Sequence, residues 1–308
     1  VSEPVRERIV GRFAPSPTGA LHLGSLVAAL GSYLFARQGN GLWLVRMEDL
    51  DLPRVVPGMG DDILSTLETL GFEWDGEVVC QSLRNDLYEE ALKRLLATGH
   101  AYPCGCTRSE IAAIASAPHG EEPVYPGTCR NGLPQGKSAR AWRVRVAEEP
   151  LRFTDLVMGD CTISLATACG DFVVKRADGL FAYQLAVVVD DFEQRVNQVV
   201  RGADLLDSTP RQIHLQRLLG YATPAYAHLP LVVNMDGSKL SKRDNALSIA
   251  SGRDLVKERG GLIAAALRFL GQEIPHELVG ADAPELLQWG VANFAPSRIP
   301  RVPAPFLL

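Results

Sequence analysis

Residues 9–25 read IVGRFAPSPTGALHLGS. The stretch Ile9–Ala14 predicts a short strand, and Pro15–Gly19 is a turn rich in Pro, Ser and Gly. Leu23, Leu26, Val27, Leu30 and Leu34 then recur at helical spacing. A buried strand running through a tight turn into a helix is the opening unit of an α/β fold. It is also a place where anions bind, because the first N–H groups of a helix have no internal partners. His22 offers these anions a further donor, and Gly24 lets a bulky group come close.

The same rhythm continues downstream. Gly39–Gly41 ends the first helix, and Leu42–Met47 is almost wholly apolar, as a buried parallel strand is. Ile63, Leu64, Leu67 and Leu70 mark a second helix, and Leu87–Leu96 a third. Between about residues 100 and 150 the pattern breaks and Pro and Gly become frequent. Ala141–Val146 alternates there, placing Arg143 and Arg145 on one strand face. Phe181–Val189 resumes the α/β alternation as a strand, with Asp190 and Asp191 at its end shaping a pocket wall. Ser208-Thr209-Pro210 starts a helix that runs to Leu219, and His228–Val233 is a further strand.

The expected architecture is α/β: a Rossmann-like doubly wound parallel sheet with an insertion and a helical end. Residues 1–99 form its first half, 100–150 the insertion and 151–244 the second half. Residues 245–308 form a helical subdomain with a tail rich in Pro.

Composition narrows the setting. The 308 residues are 46% hydrophobic and 22% charged with a net charge of −5, as in ordinary globular proteins, so disorder is excluded. No apolar run approaches the roughly 18 residues of a spanning helix, and the first residues contain no stretch of signal-peptide length. The expectation is a cytoplasmic protein with no membrane contact and no disulfide framework among its six cysteines. Cys80, Cys161 and Cys169 read as core. Cys104, Cys106 and Cys129 crowd together and suit one tetrahedral metal, with the fourth ligand open among Tyr125, His100 and His119. Arg140, Arg143 and Arg145 nearby suit either phosphate contacts or a solvated face.

A second cluster of charge, Lys239-Leu240-Ser241-Lys242-Arg243, comes after the strand near Val233. Lysines there can act as point charges on a polyphosphate. Together, the turn at His22-Leu23-Gly24-Ser25 and the Lys239–Arg243 loop resemble the paired signatures of class I aminoacyl-tRNA synthetases. Ser25 and Arg243 depart from the common wording of those signatures. Arg12 through Ser16, Arg46 through Asp51, Asp190-Asp191 and Arg201 through Gln212 resemble the glutamyl branch.

That resemblance implies an L-glutamate site made of Arg12, Ala14, Ser16, Glu48, Tyr183 and Arg201. Glu48 would pair with the ammonium, and the two arginines would clamp carboxylates. It implies an ATP site of His22, Gly24, Ser25 and Lys242, with His22, Lys239 and Lys242 catalytic and Mg2+ accompanying ATP. It also favours a structural Zn2+ held by Cys104, Cys106, Tyr125 and Cys129.

The segment after Arg243 is too short for a separate anticodon-gripping domain, which needs on the order of 100 residues or more. The layout therefore resembles the glutamyl-Q tRNA(Asp) synthetases. For those enzymes the implied partner is queuosine-containing tRNA(Asp), glutamate being activated first without tRNA. A monomer is expected.

Overall fold

The computed structural model describes residues 8–114, 124–234, 248–250, 252 and 254–307. Strand β1 (Val10–Phe13) leads into helix α1 (Leu23–Gln38), which returns to β2 (Leu42–Met47). Helix α2 (Met59–Thr69) then leads to β3 (Val79–Cys80), and α3 (Asn85–Ala97) comes next. Strands β1, β2 and β3 pair in parallel in that order. Each crossover is long enough to hold a helix, as parallel pairing requires.

The inserted region begins with β4 (Ala101–Cys104) and α4 (Arg108–Ile114), and β5 (Ala141–Val144) pairs antiparallel with β4. Then come the hairpin β6 (Leu151–Asp155) and β7 (Gly159–Ile163), a single turn α5 (Leu165–Ala168), and β8 (Phe172–Lys175). Strand β8 pairs with β5, so this antiparallel sheet takes strands from both sides of residue 150.

Helix α6 (Tyr183–Glu193), β9 (Gln198–Gly202), α7 (Thr209–Leu219), β10 (Ala225–Leu229) and β11 (Val232–Val233) continue the chain. The last stretch adds α8 (Leu255–Phe269), α9 (Ala283–Asn293) and β12 (Ala304–Pro305), which pairs with β11. The second sheet runs β7-β6-β10-β9, with β9, β10 and β6 parallel. Strand β9 lies beside β1, where Asn197 N–H donates to Val10 O at 3.1 Å and Asn197 Oδ1 accepts from Val10 N–H at 2.8 Å. The chain winds outward to either side of this β1/β9 junction, the switch point at which open α/β sheets bind ligands.

Of the expected strand at Phe181–Val189, only Phe181 makes a β-bridge, to Lys175, and the run from Tyr183 is the first part of α6. Its β-branched run Val187-Val188-Val189 suggests extended chain. However, Leu185 to Asp190 are all buried, so the polar face that would reveal a helical period is missing. Asp190 and Asp191 accordingly sit on the last turn of a helix. The expected His228–Val233 strand is broken at Pro230 into β10 and β11. Cys80 and Cys169 are half-buried at the edges of the two main cores, and Cys161 is half-buried outside them.

One core packs α1, α2, α8 and α9 against β1 and β2, and a second packs α3, α6 and α7. Helix α1 lies so close to β10 that a Cβ on Gly31 would overlap the Leu229 side chain. That approach brings the start of α1 to the ends of β9 and β10. Among the described residues, no helix is long and apolar enough to cross a membrane.

Candidate active site

Beyond Phe13 the chain leaves the sheet and is pinned to its neighbour. Pro15 O accepts from Glu48 N–H and Pro17 O from Val56 N–H, both at 2.9 Å. His22 is the N-cap of α1: its Nδ1 accepts from Ser25 N–H at 3.2 Å and its carbonyl from Leu26 N–H at 3.0 Å. With Nδ1 used as an acceptor, the proton of the neutral ring lies on Nε2. The ring folds over Gly24, where a Cβ would stand 3.0 Å from His22 Cε1. An exposed histidine donor therefore stands at the positive end of a 16-residue helix.

A cavity of about 710 Å3 opens between this turn and the ends of β2, β9 and β10. Of the expected site residues, Arg12, Ala14, Ser16, His22, Gly24, Ser25, Glu48, Tyr183 and Arg201 all line it. Lys239 and Lys242 lie outside the described residues. Val232, which precedes them, and Ser248, which comes after, both line the cavity.

Buried charges at one end of the cavity are held from behind. Arg12 Nε donates to Asp191 Oδ1 at 3.1 Å, and Arg46 Nη2 reaches the same oxygen at 2.8 Å. Arg46 also approaches Glu48 at 3.4 Å and donates to Gln194 Oε1 at 2.8 Å. Asp190 Oδ1 accepts from Arg84 Nε at 2.6 Å; its Oδ2 accepts from Gln81 Nε2 at 2.7 Å and Tyr88 OH at 2.8 Å. Two carboxylates at the negative end of a helix would repel its carbonyls, and the three guanidiniums compensate.

Asp190 and Asp191 therefore anchor the arginines from behind; the expectation that they shape the cavity wall is not met. Burial opposes the charge on Asp191, yet Arg12 and Arg46 hold its carboxyl below the usual range. Burial pushes Glu48 above its usual range while Arg46 and Arg12 pull it back. Burial likewise raises the Tyr183 phenol.

Arg201, on β9, is buried and held at all three of its nitrogens. Nη1 donates to Tyr183 OH at 3.4 Å, Nη2 to Thr209 Oγ1 at 2.8 Å, and Nε to His228 Nε2 at 3.2 Å. The chemistry available at this end is capture of a dianion carrying one ammonium. Its carboxylate would be directed at a phosphate held by the α1 start.

In the insert, the sulfurs of Cys104, Cys106 and Cys129 lie within 4.8 Å of one another. Tyr125 OH is 3.4 Å from Cys104 Sγ, 3.7 Å from Cys106 Sγ, and accepts from Cys129 N–H at 2.9 Å. Tetrahedral edges around zinc are about 3.8 Å for two sulfurs and about 3.5 Å for sulfur and oxygen, from bonds near 2.3 and 2.0 Å. Cys106 to Cys129 at 3.6 Å and Tyr125 OH to Cys104 and Cys106 at 3.4 and 3.7 Å lie close to these edges, with Cys104 Sγ within 4.8 Å of the other two sulfurs. Such a donor set fits a metal ion. His100 is not part of the described cluster, and His119 lies outside the described residues.

Arg143 is drawn into this cluster. Its guanidinium stacks 3.8 Å above the Tyr125 ring and Nε donates to Cys104 Sγ at 3.4 Å. Burial would raise the Cys104 thiol, but hydrogen bonds from Tyr125, Cys106 N–H and Arg143 bring it below its usual range. Arg145 stacks 4.8 Å from the Tyr102 ring centre and donates to Gly99 O. Both arginines therefore brace the insert, and neither a bare phosphate contact nor a solvated face describes them. The Arg140 side chain is exposed.

Residues 8–274 match the family model for the catalytic domain of class I tRNA synthetases of the E and Q type, and the chain belongs to that family. It is 67% identical over 301 residues to the glutamyl-Q tRNA(Asp) synthetase of Geobacter sulfurreducens, covering 97% of this chain and 96% of the relative. The enzyme of the same name from Aromatoleum aromaticum is 56% identical, with 95% and 90% covered. Among solved structures, a glutamate tRNA ligase from Elizabethkingia meningosepticum in complex with its amino acid superimposes with a TM-score of 0.80 at 27% identity. The match covers 98% of this chain and 67% of the ligase.

Sequence reasoning quoted Arg46 within a motif but gave it no role, and it passed over Asp155 and His228. Tyr226-Ala227-His228 alternates in a strand, so Tyr226 and His228 share a face. That pattern was the available signal.

Proposed function

We propose that the protein activates L-glutamate with ATP and transfers it to the queuosine base at the wobble position of tRNA(Asp). The observation that carries this reading is the shared cavity in which Arg12, Glu48, Tyr183 and Arg201 face the His22–Gly24 helix start. Names and high identity of the relatives support the same substrates.

In the first step a glutamate carboxylate oxygen attacks the α-phosphorus of ATP. The new O–P bond forms as the bond to pyrophosphate breaks, giving glutamyl-adenylate and pyrophosphate. No proton has to move, so the protein's work is positioning and charge neutralisation. Glu48 holds the ammonium, Arg12 and Arg201 hold carboxylates, and Tyr183 adds its hydroxyl. The neutral amide of glutamine would leave a guanidinium without an anionic partner, which is the basis for rejecting it. His22 Nε2–H and the first N–H groups of α1 take phosphate oxygens, and Lys239 and Lys242 track the charge onto pyrophosphate. Mg2+ bound with ATP would neutralise part of that charge. In the second step a hydroxyl of the queuosine cyclopentene-diol attacks the activated carbonyl. The ester forms, AMP leaves, and the hydroxyl proton is released.

Cys104, Cys106, Cys129 and Tyr125 would hold a structural Zn2+, which would cross-link β4 to the loop bearing Tyr125 and Cys129. The parts of this machine are the two catalytic halves, an insertion that starts near residue 100 and takes β8 into its sheet, and the helical end 245–308, acting as a cytoplasmic monomer. The test of the first step is glutamate-dependent exchange of labelled pyrophosphate into ATP with no tRNA present. Robust exchange with glutamate and none with glutamine supports the reading, and no exchange contradicts it.

A further inference from the structure

Behind Arg201 stands a polar chain that the substrate contacts do not use. His228 is wholly buried on β10, and its Nδ1 lies 2.6 Å from Asp155 Oδ2. The other oxygen, Asp155 Oδ1, accepts three backbone N–H groups: Val157 at 2.9 Å, Met158 at 2.8 Å and His228 at 3.1 Å. On the far side of the ring, Nε2 faces Arg201 Nε at 3.2 Å and Thr209 Oγ1 at 3.1 Å.

The donors determine where the hydrogens sit. Arg201 Nε always carries a proton, so His228 Nε2 has to present its lone pair. The ring proton then resides on Nδ1 and is donated to Asp155. The arrangement places a guanidinium where the carboxylate–histidine pairs of metal sites place the metal.

We infer that His228 is a positioning residue for glutamate recognition: oriented by Asp155, its Nε2 holds Arg201 at Nε so that Nη1 is aimed at the amino-acid pocket. The inference rests on the function proposed above. It adds two residues, Asp155 and His228, that do not line the cavity. A second orientation of Arg201 would cost the glutamate clamp its register, while the ATP side, at the start of α1, would be untouched.

Three substitutions separate this role from general packing. His228→Gln keeps an oxygen acceptor near the place of Nε2. His228→Asn keeps a donor to Asp155 and lacks the acceptor. Asp155→Asn keeps its carbonyl oxygen on the three N–H groups, so its NH2 must face Nδ1. The ring then carries its proton on Nε2, pointing at Arg201, as happens when a catalytic-triad aspartate is made asparagine.

In pyrophosphate exchange, His228→Asn and Asp155→Asn are expected to raise the glutamate KM by about tenfold or more, as loss of a hydrogen bond to a buried charge does. The ATP KM should stay within about twofold, and His228→Gln should recover most of the loss. Equal glutamate KM values in His228→Asn and His228→Gln, or parallel rises in both KM values, would overturn the inference.

Nitrogen-15 NMR of the labelled imidazoles gives a second reading that needs no substrate. An unprotonated Nε2 is expected in the native protein and an unprotonated Nδ1 in Asp155→Asn. Protonated Nε2 in the native ring contradicts the inference. Absence of glutamate-dependent exchange in the native protein would instead remove the proposed function, and the NMR arm would still decide the tautomer.

Discussion

Asp191 holds Arg12 by its inner edge, Nε to Oδ1 at 3.1 Å, while Arg46 leans on the same oxygen. A carboxylate shared by two buried guanidiniums offsets their charge beside the proposed amino-acid pocket. Asp191→Asn keeps the shape and removes the charge. Breaking a buried pair in this way costs about 3–5 kcal/mol. Denaturant unfolding should show a loss in that range, and the glutamate KM should rise more than the ATP KM. An unchanged midpoint would mean that Asp191 does not carry this load.

Gly24 is required by the ring of His22, because a Cβ there would stand 3.0 and 3.1 Å from its Cε1 and Nδ1. In Gly24→Ala the ring must swing away and leave Ser25 N–H uncapped. Stability should change little, since a lost cap of about 1 kcal/mol is offset by a similar helix preference of Ala over Gly. The adenylate-forming kcat should fall about tenfold or more, because a displaced phosphate donor misplaces the reacting groups. A kcat within about twofold of native would separate His22 from the chemistry.

Acid should unfold the protein through identifiable groups. Despite burial, Asp155 and Asp191 are held below the usual carboxylate range, so their stabilisation is complete above about pH 3.9 and is lost as pH falls through their folded values. Burial depresses His228 in spite of Asp155, so its contribution is present above about pH 6.5 and is lost as pH falls below that. Glu48, raised by burial, runs the other way: it favours the fold below its unfolded value, and that part is lost as pH rises through its folded value. His214 is depressed by burial as His228 is and adds to that loss, whereas Glu48 opposes it. The His228→Gln variant should therefore lose less stability than the native protein as pH falls from about 7 to 5, read as urea midpoints. A parallel slope in the variant would contradict the assignment.

The cysteine cluster predicts about one zinc per chain by atomic spectroscopy. Cys129→Ser should abolish it. Tyr125→Phe should weaken binding while leaving the three sulfurs in place. Arg143→Gln, which removes the guanidinium on the Tyr125 ring and Cys104, should weaken binding by about 10–100-fold, as loss of outer-shell partners does. Full zinc retention in Cys129→Ser would rule out the proposed site.

Much of the fold could be read directly because its signals are local. Helix α1 declares itself through Leu23 to Leu34, β2 through Leu42–Met47, and the cysteine cluster through its spacing. Helix α6 was misread because burial on every side removes the polar positions that make a period visible. Glu48, Arg12, Tyr183 and Arg201 were legible only together, since each alone is an ordinary charged or aromatic residue. Asp155 and His228 were missed for a different reason. They are 73 residues apart, and only the pairing of β6 with β10 brings them together.

The most direct measurement is transfer of labelled glutamate, with ATP, to separated tRNAs. Label on tRNA(Asp) that contains queuosine, with none on the same tRNA lacking it and none on tRNA(Glu), is the expected result. Label on the 3′ end of tRNA(Glu), with none on queuosine-containing tRNA(Asp), would contradict the account.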